Sequence, residues 1–121
     1  MRALVSALNM EAAARAYFTQ WNTHSGDAVA ACFAPDGTLR DWDVSAAGAA
    51  AVGAANANIF AAVPSISIDV LSVHVSEATR TAVCEIIVNL NDGTGTTLKV
   101  VDVIEFAPGS LLIASLRAYK G

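Results

Sequence analysis

The apolar residues in the first half of the chain recur with the period of a helix. Within residues 9–24, Met10, Ala14, Tyr17 and Trp21 share one face of such a helix. A serine then offers an N-cap for a short second helix, and an Ala-Pro-Asp-Gly turn ends that helix. These patterns predict helices over residues 9–24, 26–33 and 45–62, and a strand over residues 37–43.

From Pro64 onward the pattern changes to the period of two that is typical of strands. The four predicted strands cover residues 65–76, 79–91, 95–107 and 110–120. Hairpin signals between them are Asn91-Asp92-Gly93 and Pro108-Gly109. The apolar parity reverses between Val70 and Leu71, which predicts a β-bulge that bends the sheet. The order α-α-β-α-β-β-β-β predicts an α+β fold, with helices packed on one face of a bent antiparallel sheet.

Composition limits the classes of function that this chain can have. Its 121 residues suit a single domain over residues 1–121, with 55% hydrophobic and 15% charged residues. The net charge is −4 and the seven basic residues are not clustered along the chain, so no nucleic-acid partner is expected. No secretory signal and no membrane span are expected either. Cys32 and Cys84 lack C-x-x-C spacing, which favours a reduced, cytoplasmic protein.

The predicted sheet has a second apolar face that no predicted helix covers. Val83, Ile87, Val101 and Val103 lie on it. A homodimer through this open sheet face would bury them. The alternative is that they occupy exposed strand positions because of their β-propensity. The high apolar fraction of the chain favours the dimer.

One carboxylate interrupts the apolar face of a predicted buried strand, in the stretch K-V-V-D-V-I-E-F. Four apolar residues share the face of Asp102: Leu98, Val100, Ile104 and Phe106. Because an isolated charge on such a face is costly, Asp102 must be paired, hydrogen-bonded or protonated. Two explanations remain open. The structural one is a cross-strand ion pair with Arg117 or Lys120, or a polar group at the wet end of the sheet. The functional one is a protonated acid that donates a hydrogen bond in an apolar pocket.

Two further side chains could take part in chemistry. Asp41 lies near the end of a predicted strand, where aspartates are usually solvated. Tyr17 lies inside the apolar stripe of the first helix, where most tyrosines belong to the core. His24 and His74 have no partner at metal-ligand spacing, and nucleotide-binding motifs are absent. The sequence therefore predicts neither a metal nor a cofactor.

Four motifs lie in succession along nearly the whole chain. They are W-N-T-H, C-F-A-P-D-G-T-L-R-D, V-V-D-V-I-E-F and S-L-R-A-Y. Together they resemble the nuclear transport factor 2-like superfamily, and most closely its ketosteroid isomerase and SnoaL-like members. The resemblance implies the cone-shaped, cystatin-like α+β fold of that superfamily.

The resemblance also implies roles for three residues. Ketosteroid isomerases place an oxyanion-hole tyrosine on the first helix, four residues before an apolar position, and these places correspond to Tyr17 and Trp21. Their general base is the aspartate eight residues after the phenylalanine of an F-A-x-D turn, and these two correspond to Asp41 and Phe33. Their second oxyanion-hole donor is an aspartic acid within an apolar strand, which corresponds to Asp102.

The chain departs from the isomerase pattern at two places. Neither Asn56 nor Asn58 is the second tyrosine that some isomerases carry on the third helix, and Trp42 replaces the proline that often follows the base. An asparagine could still join a polar network there. Residues expected to line the ligand pocket are Trp21, Asn56, Val100, Ile104 and Leu116.

The resemblance implies an acid–base enzyme that needs no cofactor. It would remove a proton α to the carbonyl group of a small apolar ligand and stabilise the enolate, as an isomerase or a cyclase. The alternative is a non-catalytic dimeric domain of the same fold that binds a ligand or a partner.

Overall fold

The computed structural model describes residues 2–121, and within them the chain forms three helices and six strands. The helices are α1 (Arg2–Trp21), α2 (Gly26–Ala30) and α3 (Ala49–Ala62). The strands are β1 (Phe33–Arg40), β2 (Ser45–Ala47), β3 (Ser67–Ser76), β4 (Thr81–Asn89), β5 (Thr97–Phe106) and β6 (Ile113–Lys120). These strands form a six-stranded sheet in the order β2-β1-β6-β5-β4-β3.

The predicted element boundaries are wrong around β1. Helix α2 ends at Ala30 rather than at residue 33, because Phe33 already pairs with β6. Strand β1 ends at Arg40 rather than at residue 43, because Asp41 begins a turn. Residues 45–47, predicted as the start of the third helix, instead form β2 against β1. Gly48, whose φ is 95°, then separates β2 from α3, and this backbone conformation favours glycine.

The sheet is antiparallel except at one pair of strands. Strands β1 and β6 run parallel, so the prediction of a wholly antiparallel sheet is wrong at this pair. A parallel pair needs a long crossover, and the segment between β1 and β6 supplies it because it holds α3 and three other long strands. The remaining neighbours pair antiparallel, as predicted. The predicted bulge is confirmed by a shift of register between Val70 and Ser72.

The helices cover one face of the sheet and form the core with it. Helix α1 spans Arg2–Trp21 rather than residues 9–24, and it packs against β3 and β4. Its predicted apolar stripe of Met10, Ala14, Tyr17 and Trp21 is buried. None of the helices in residues 2–121 has the combined length and hydrophobicity that a membrane crossing would need.

Two glycines set the distance between α2 and α3. A Cβ atom on Gly53 would lie 2.8 Å from the carbonyl oxygen of Gly26 and 2.9 Å from the Cβ of Ala30. A Cβ atom on Gly26 would lie 2.6 Å from the carbonyl oxygen of Gly53. The two helices therefore approach each other more closely than side chains at these positions would allow.

The other face of the sheet carries apolar side chains that no helix within residues 2–121 covers. Val83, Val101 and Val103 are half-buried by their neighbours on the same face. Leu71 and Tyr119 are 64% and 56% exposed. The chain thus leaves this face open, as the sequence predicted.

Candidate active site

A cavity of about 220 Å³ lies between the helices and the covered face of the sheet. Its wall is mostly aliphatic and aromatic, and the polar side chains on it are few: Tyr17, Asp41, Asp43, Asn56 and Asp102. The pocket-lining residues expected from the sequence that do lie on this wall are Trp21, Asn56, Val100 and Leu116. The three proposed catalytic residues therefore line one cavity, although they come from α1, the loop after β1, and β5.

The prediction that Ile104 lines the pocket is wrong. Ile104 is fully buried, and it does not belong to the cavity wall. It follows Asp102 by two residues on the same face of β5, and Leu116 of β6 is its register partner. The strand therefore carries its side chain past the end of the cavity and into the packed core.

Tyr17 presents its hydroxyl group to the cavity from an aromatic part of the core. The tyrosine is 4% exposed, and its ring makes edge contacts with Phe18 and Phe33 at centroid distances of 5.1 and 6.0 Å. None of the side chains that the structure describes, in residues 7–121, forms a hydrogen bond with its hydroxyl group. Burial and, second, the charge of Asp102 raise the pKa of Tyr17 well above its usual value. Tyr17 is therefore a neutral hydrogen-bond donor.

Asp102 lies in the middle of β5, opposite Cys84 of β4 and Ala118 of β6. It is 5% exposed, and its carboxyl group takes part in no ion pair and no hydrogen bond within the described residues. Burial, with a smaller contribution from the charge of Asp41, raises the pKa of Asp102 to about 7. At neutral pH a large fraction of the molecules therefore carries a proton on Asp102.

The ion-pair explanation for Asp102 is wrong, because both candidate cations have other contacts. The guanidinium group of Arg117 donates to Glu105 at 3.1 Å and to Ser115 at 3.1 Å. The ammonium group of Lys120 lies 5.2 Å from the centroid of the Trp42 ring. The explanation that remains is that Asp102 is an acid in an apolar pocket.

Asp41 is held in place at the cavity by its own turn. Its Oδ1 atom accepts hydrogen bonds from the backbone N–H groups of Asp43 (2.7 Å) and Val44 (2.6 Å). Its own N–H group donates to the carbonyl oxygen of Val44 at 2.9 Å. The Oδ2 atom accepts no hydrogen bond within the described residues, so it is available to a ligand. The charge of Asp41 contributes to the raised pKa of Asp102, and the charge of Asp102 contributes to the raised pKa of Tyr17.

Asn56 joins a buried polar network on another part of the wall. Its Oδ1 atom accepts a hydrogen bond of 2.8 Å from the indole Nε1 of Trp21, and its Nδ2 atom donates to the carbonyl oxygen of Val52 at 3.0 Å. The Trp21 ring in turn packs edge-on against the Phe60 ring, and the His24 ring stacks on Phe60. This network fixes the Trp21 indole against the cavity.

Sequence reasoning missed much of the apolar wall. The residues that were not predicted to line it are Leu39, Trp42, Val44, Ile59, Ile66, Ile68, Ile86, Val88, Leu90, Leu98 and Ala118. For the strand residues the alternation of apolar positions was a usable signal, because it identifies the face that meets the helices. For Trp42 the sequence offered no signal, because its place depends on the turn at Asp41.

Comparisons with known proteins agree with this architecture. A protein with a cystatin-like fold from Methylobium petroleophilum PM1, whose function is unknown, superposes with a TM-score of 0.84 at 19% identity, over 95% of this chain and 77% of that one. The epoxide hydrolase/cyclase-like enzyme SalBIII, which acts in pyran ring formation in salinomycin, superposes with a TM-score of 0.77 at 19% identity, over 94% and 92%.

A protein with a ketosteroid isomerase-like fold from Catenulispora acidiphila DSM 44928, in complex with trimethylamine, superposes with a TM-score of 0.77 at 15% identity, over 88% and 83%. No curated protein matches the chain. These likenesses confirm the predicted cystatin-like α+β fold. The sequence model of the SnoaL-like domain matches residues 14–114. The chain therefore belongs to the SnoaL-like domain family, within the nuclear transport factor 2-like superfamily.

Proposed function

We propose that this protein abstracts a proton α to the carbonyl group of a small apolar compound and stabilises the enolate that forms. One observation carries the proposal. The residues Tyr17 and Asp102 are 4% and 5% exposed, form no side-chain hydrogen bond or ion pair within the described residues, and line the same cavity as Asp41. Since their polar atoms are not fully enclosed by the protein, a ligand in the cavity can accept hydrogen bonds from both.

Each residue has a separate part in the proposed reaction. The Oδ2 atom of Asp41 removes the α proton, while its Oδ1 atom stays bound to the turn. Tyr17 and protonated Asp102 donate hydrogen bonds to the oxygen on which negative charge develops. With a β,γ-unsaturated carbonyl compound, return of the proton from Asp41 to the γ carbon of the dienolate completes an isomerisation. Attack of the enolate on a second carbonyl group of the same molecule would instead form a ring and an alkoxide, which takes the proton back from Asp41.

The volume of the cavity limits the substrate. At about 220 Å³ it is smaller than the roughly 300–1,000 Å³ of pockets that hold drug-sized ligands. A substrate with one or two rings fits this volume better than a four-ring steroid does.

The test is exchange of the α protons of cyclohexanone in D₂O, followed by proton NMR. This measurement detects proton abstraction whether or not a rearranged product forms. We expect Asp41→Asn to lower the rate of exchange by roughly 10²–10⁴-fold, the usual contribution of a general base. Asp36→Asn, a change of the same kind at an exposed position of β1, should leave the rate unchanged.

Two outcomes would contradict the proposal. One is exchange that the wild-type protein does not accelerate over buffer, and the other is exchange that Asp41→Asn does not slow. If phenols nevertheless bind in the cavity, the protein is a ligand-binding domain of this fold.

A further inference from the structure

The cavity wall carries a side-chain amide in addition to the three proposed catalytic residues. The amide belongs to Asn56 of α3, which is 3% exposed. No hydrogen bond within the described residues joins it to Tyr17, Asp41 or Asp102. The proposed proton transfer therefore does not account for a buried amide at this place.

Two neighbours determine which way the amide faces. The indole Nε1 of Trp21 donates to Oδ1 of Asn56 at 2.8 Å, and Nδ2 of Asn56 donates to the carbonyl oxygen of Val52 at 3.0 Å. An indole N–H group can only donate and a carbonyl oxygen can only accept, so the amide cannot turn over without losing both bonds. Its oxygen is therefore fixed at Trp21 and its nitrogen at Val52.

One N–H group of the amide is left over. The Nδ2 atom carries two hydrogens, and the bond to Val52 uses one of them. No acceptor within the described residues takes the other hydrogen. Because Asn56 lines the cavity, a ligand there can supply this acceptor.

The charges around the cavity decide what kind of acceptor fits. Its wall includes Asp41, Asp43 and Asp102, and none of the described lysine, arginine or histidine residues lines it. A carboxylate or phosphate group of the ligand would meet the charges of Asp41 and Asp43 without a cation to offset them. The acceptor that fits is therefore a neutral oxygen of a ketone, an ether or an alcohol.

The amide and the proposed oxyanion donors lie at different places in the cavity. Trp21, which binds the amide, follows Tyr17 by four residues on α1, so the two are about 6 Å apart along the helix axis. A ligand that uses both places needs two oxygens that are several bonds apart. Two oxygens on opposite atoms of a six-membered ring meet this requirement.

We infer that Asn56 binds a second, neutral oxygen of the substrate, and that Trp21 positions its amide for this contact. The inference rests on the proposed function, because it assumes that the reacting carbonyl lies at Tyr17 and Asp102. It narrows the substrate class of that site to ketones that carry another oxygen across the molecule. Cyclohexane-1,4-dione is a simple cyclic member of this class.

The experiment compares two ketones of nearly the same shape by ¹H–¹⁵N NMR titration of the wild-type protein. Cyclohexane-1,4-dione has an oxygen where 4-methylenecyclohexanone has a methylene group. We expect the dione to bind at least about fivefold more tightly, which exceeds the statistical factor of two from its equivalent carbonyl groups. Burial of apolar surface alone would favour the methylene compound. A side-chain amide proton of Asn56 should move downfield with the dione and much less with the methylene compound.

Asn56→Leu removes the amide at similar volume, and it should abolish the preference for the dione. Its affinity for 4-methylenecyclohexanone should be at least that of the wild type. Asn58→Leu makes the same change at an exposed position of α3 and should keep the preference. If Asn56→Leu does not fold, the double variant Trp21→Phe, Asn56→Leu removes the indole donor together with its acceptor, and it should also lack the preference.

Trp21→Phe alone tests the positioning role. Loss of packing would weaken the binding of both ketones alike. An amide that is free to turn should weaken the binding of the dione more, so we expect the ratio of the two affinities to fall. An unchanged ratio would show that Trp21 does not position the amide.

The inference is overturned if the wild-type protein binds the two ketones within a factor of two of each other, or if folded Asn56→Leu retains the preference. It is also overturned if the amide signals of Asn56 do not respond to the dione. Tighter binding of 4-oxocyclohexanecarboxylate than of the dione would overturn it as well, because the second oxygen would then belong to an anion.

The failure of this inference can be told apart from the failure of the proposed function, because binding is measured without turnover. If the dione has no advantage but α-proton exchange still depends on Asp41, the proposed reaction stands for ketones without a second oxygen. If the dione is preferred through Asn56 but exchange does not depend on Asp41, the cavity binds such ketones without reacting with them.

Discussion

The carboxyl group of Asp102 has no counter-ion within the described residues, and this determines how the stability of the protein depends on pH. Burial is the largest cause of its pKa of about 7, well above the 3.8 that is ordinary for an aspartate. The folded protein therefore retains a proton on Asp102 at pH values where the unfolded chain has lost it. The contribution to stability is fully present below about pH 4 and is lost as the pH rises toward about 7.

We expect Asp102→Asn to remove this pH dependence. Between pH 4 and pH 7 the difference in the free energy of unfolding between wild type and variant should change by about 4 kcal/mol in favour of the variant. Urea denaturation at several pH values measures this change. A difference that stays constant with pH, or that moves in favour of the wild type, would show that Asp102 is ionised in the folded protein.

Asp41 and Trp42 show which part of the site the sequence can predict. The resemblance to ketosteroid isomerases points to Tyr17, Asp41 and Asp102, and all three line one cavity in the structure. The position of Trp42 does not follow, because the strand was predicted to continue through it. An Asp whose side chain binds the backbone two residues later forms a turn, and D-W-D contains that signal only weakly.

At the scale of elements, local propensity fails where tertiary contacts outweigh it. The Ser-Ala-Ala stretch of β2 was predicted as helix because alanine is the best helix former, yet it pairs with β1. A glycine lowers the stability of an isolated helix, and Gly53 lies inside α3. In the folded protein the same glycine permits the close approach of α2.

The substitution Gly53→Ala separates these two effects. Helix propensity alone would stabilise the protein by about 1 kcal/mol. We expect a loss of roughly 1–3 kcal/mol instead, because the new Cβ atom would lie 2.8 Å from the Gly26 carbonyl oxygen. Thermal unfolding measures the change, and Ala54→Gly at an exposed position of α3 calibrates the propensity effect. A stabilised Gly53→Ala variant would contradict the close packing of the two helices.

At the scale of the whole molecule, the open face of the sheet carries exposed apolar side chains. We propose that a second copy of the chain covers it. Glu85 and Lys99 point outward on neighbouring strands of this face, so a twofold axis can place opposite charges against each other. The apolar residues between them, with exposed Leu71 and Tyr119, provide the centre of such an interface.

The dimer is tested by Val101→Glu, which would bury two carboxylates at the centre of the proposed interface. We expect the wild-type protein to sediment as a dimer at micromolar concentrations and the variant to sediment as a folded monomer. Leu8→Glu introduces the same charge at an apolar position of α1 that is 66% exposed, and it should leave the dimer intact. A wild-type protein that sediments as a monomer, or a dimer that persists in Val101→Glu, would contradict the interface.

The order of elements was predictable for most of the chain, whereas the order of strands in the sheet was not. Consecutive hairpins follow from turn residues such as Pro108-Gly109. The parallel contact between β1 and β6 joins segments that are distant in sequence, and no local pattern encodes it. This contact also places Arg40 of β1 beside Arg117 of β6. Because these two basic residues are far apart along the chain, the sequence showed no basic cluster.

The turn at Asp41 has a consequence for how enzymes with this fold can diversify. Tyr17 and Asp102 belong to α1 and β5, where replacing them would disturb the core, whereas Asp41 and Trp42 lie on the loop between β1 and the edge strand β2. Loops of this kind tolerate exchange without loss of the fold. Evolution can therefore keep the anion-stabilising half of the site and vary the group that initiates the reaction, so that one scaffold gives rise to many activities.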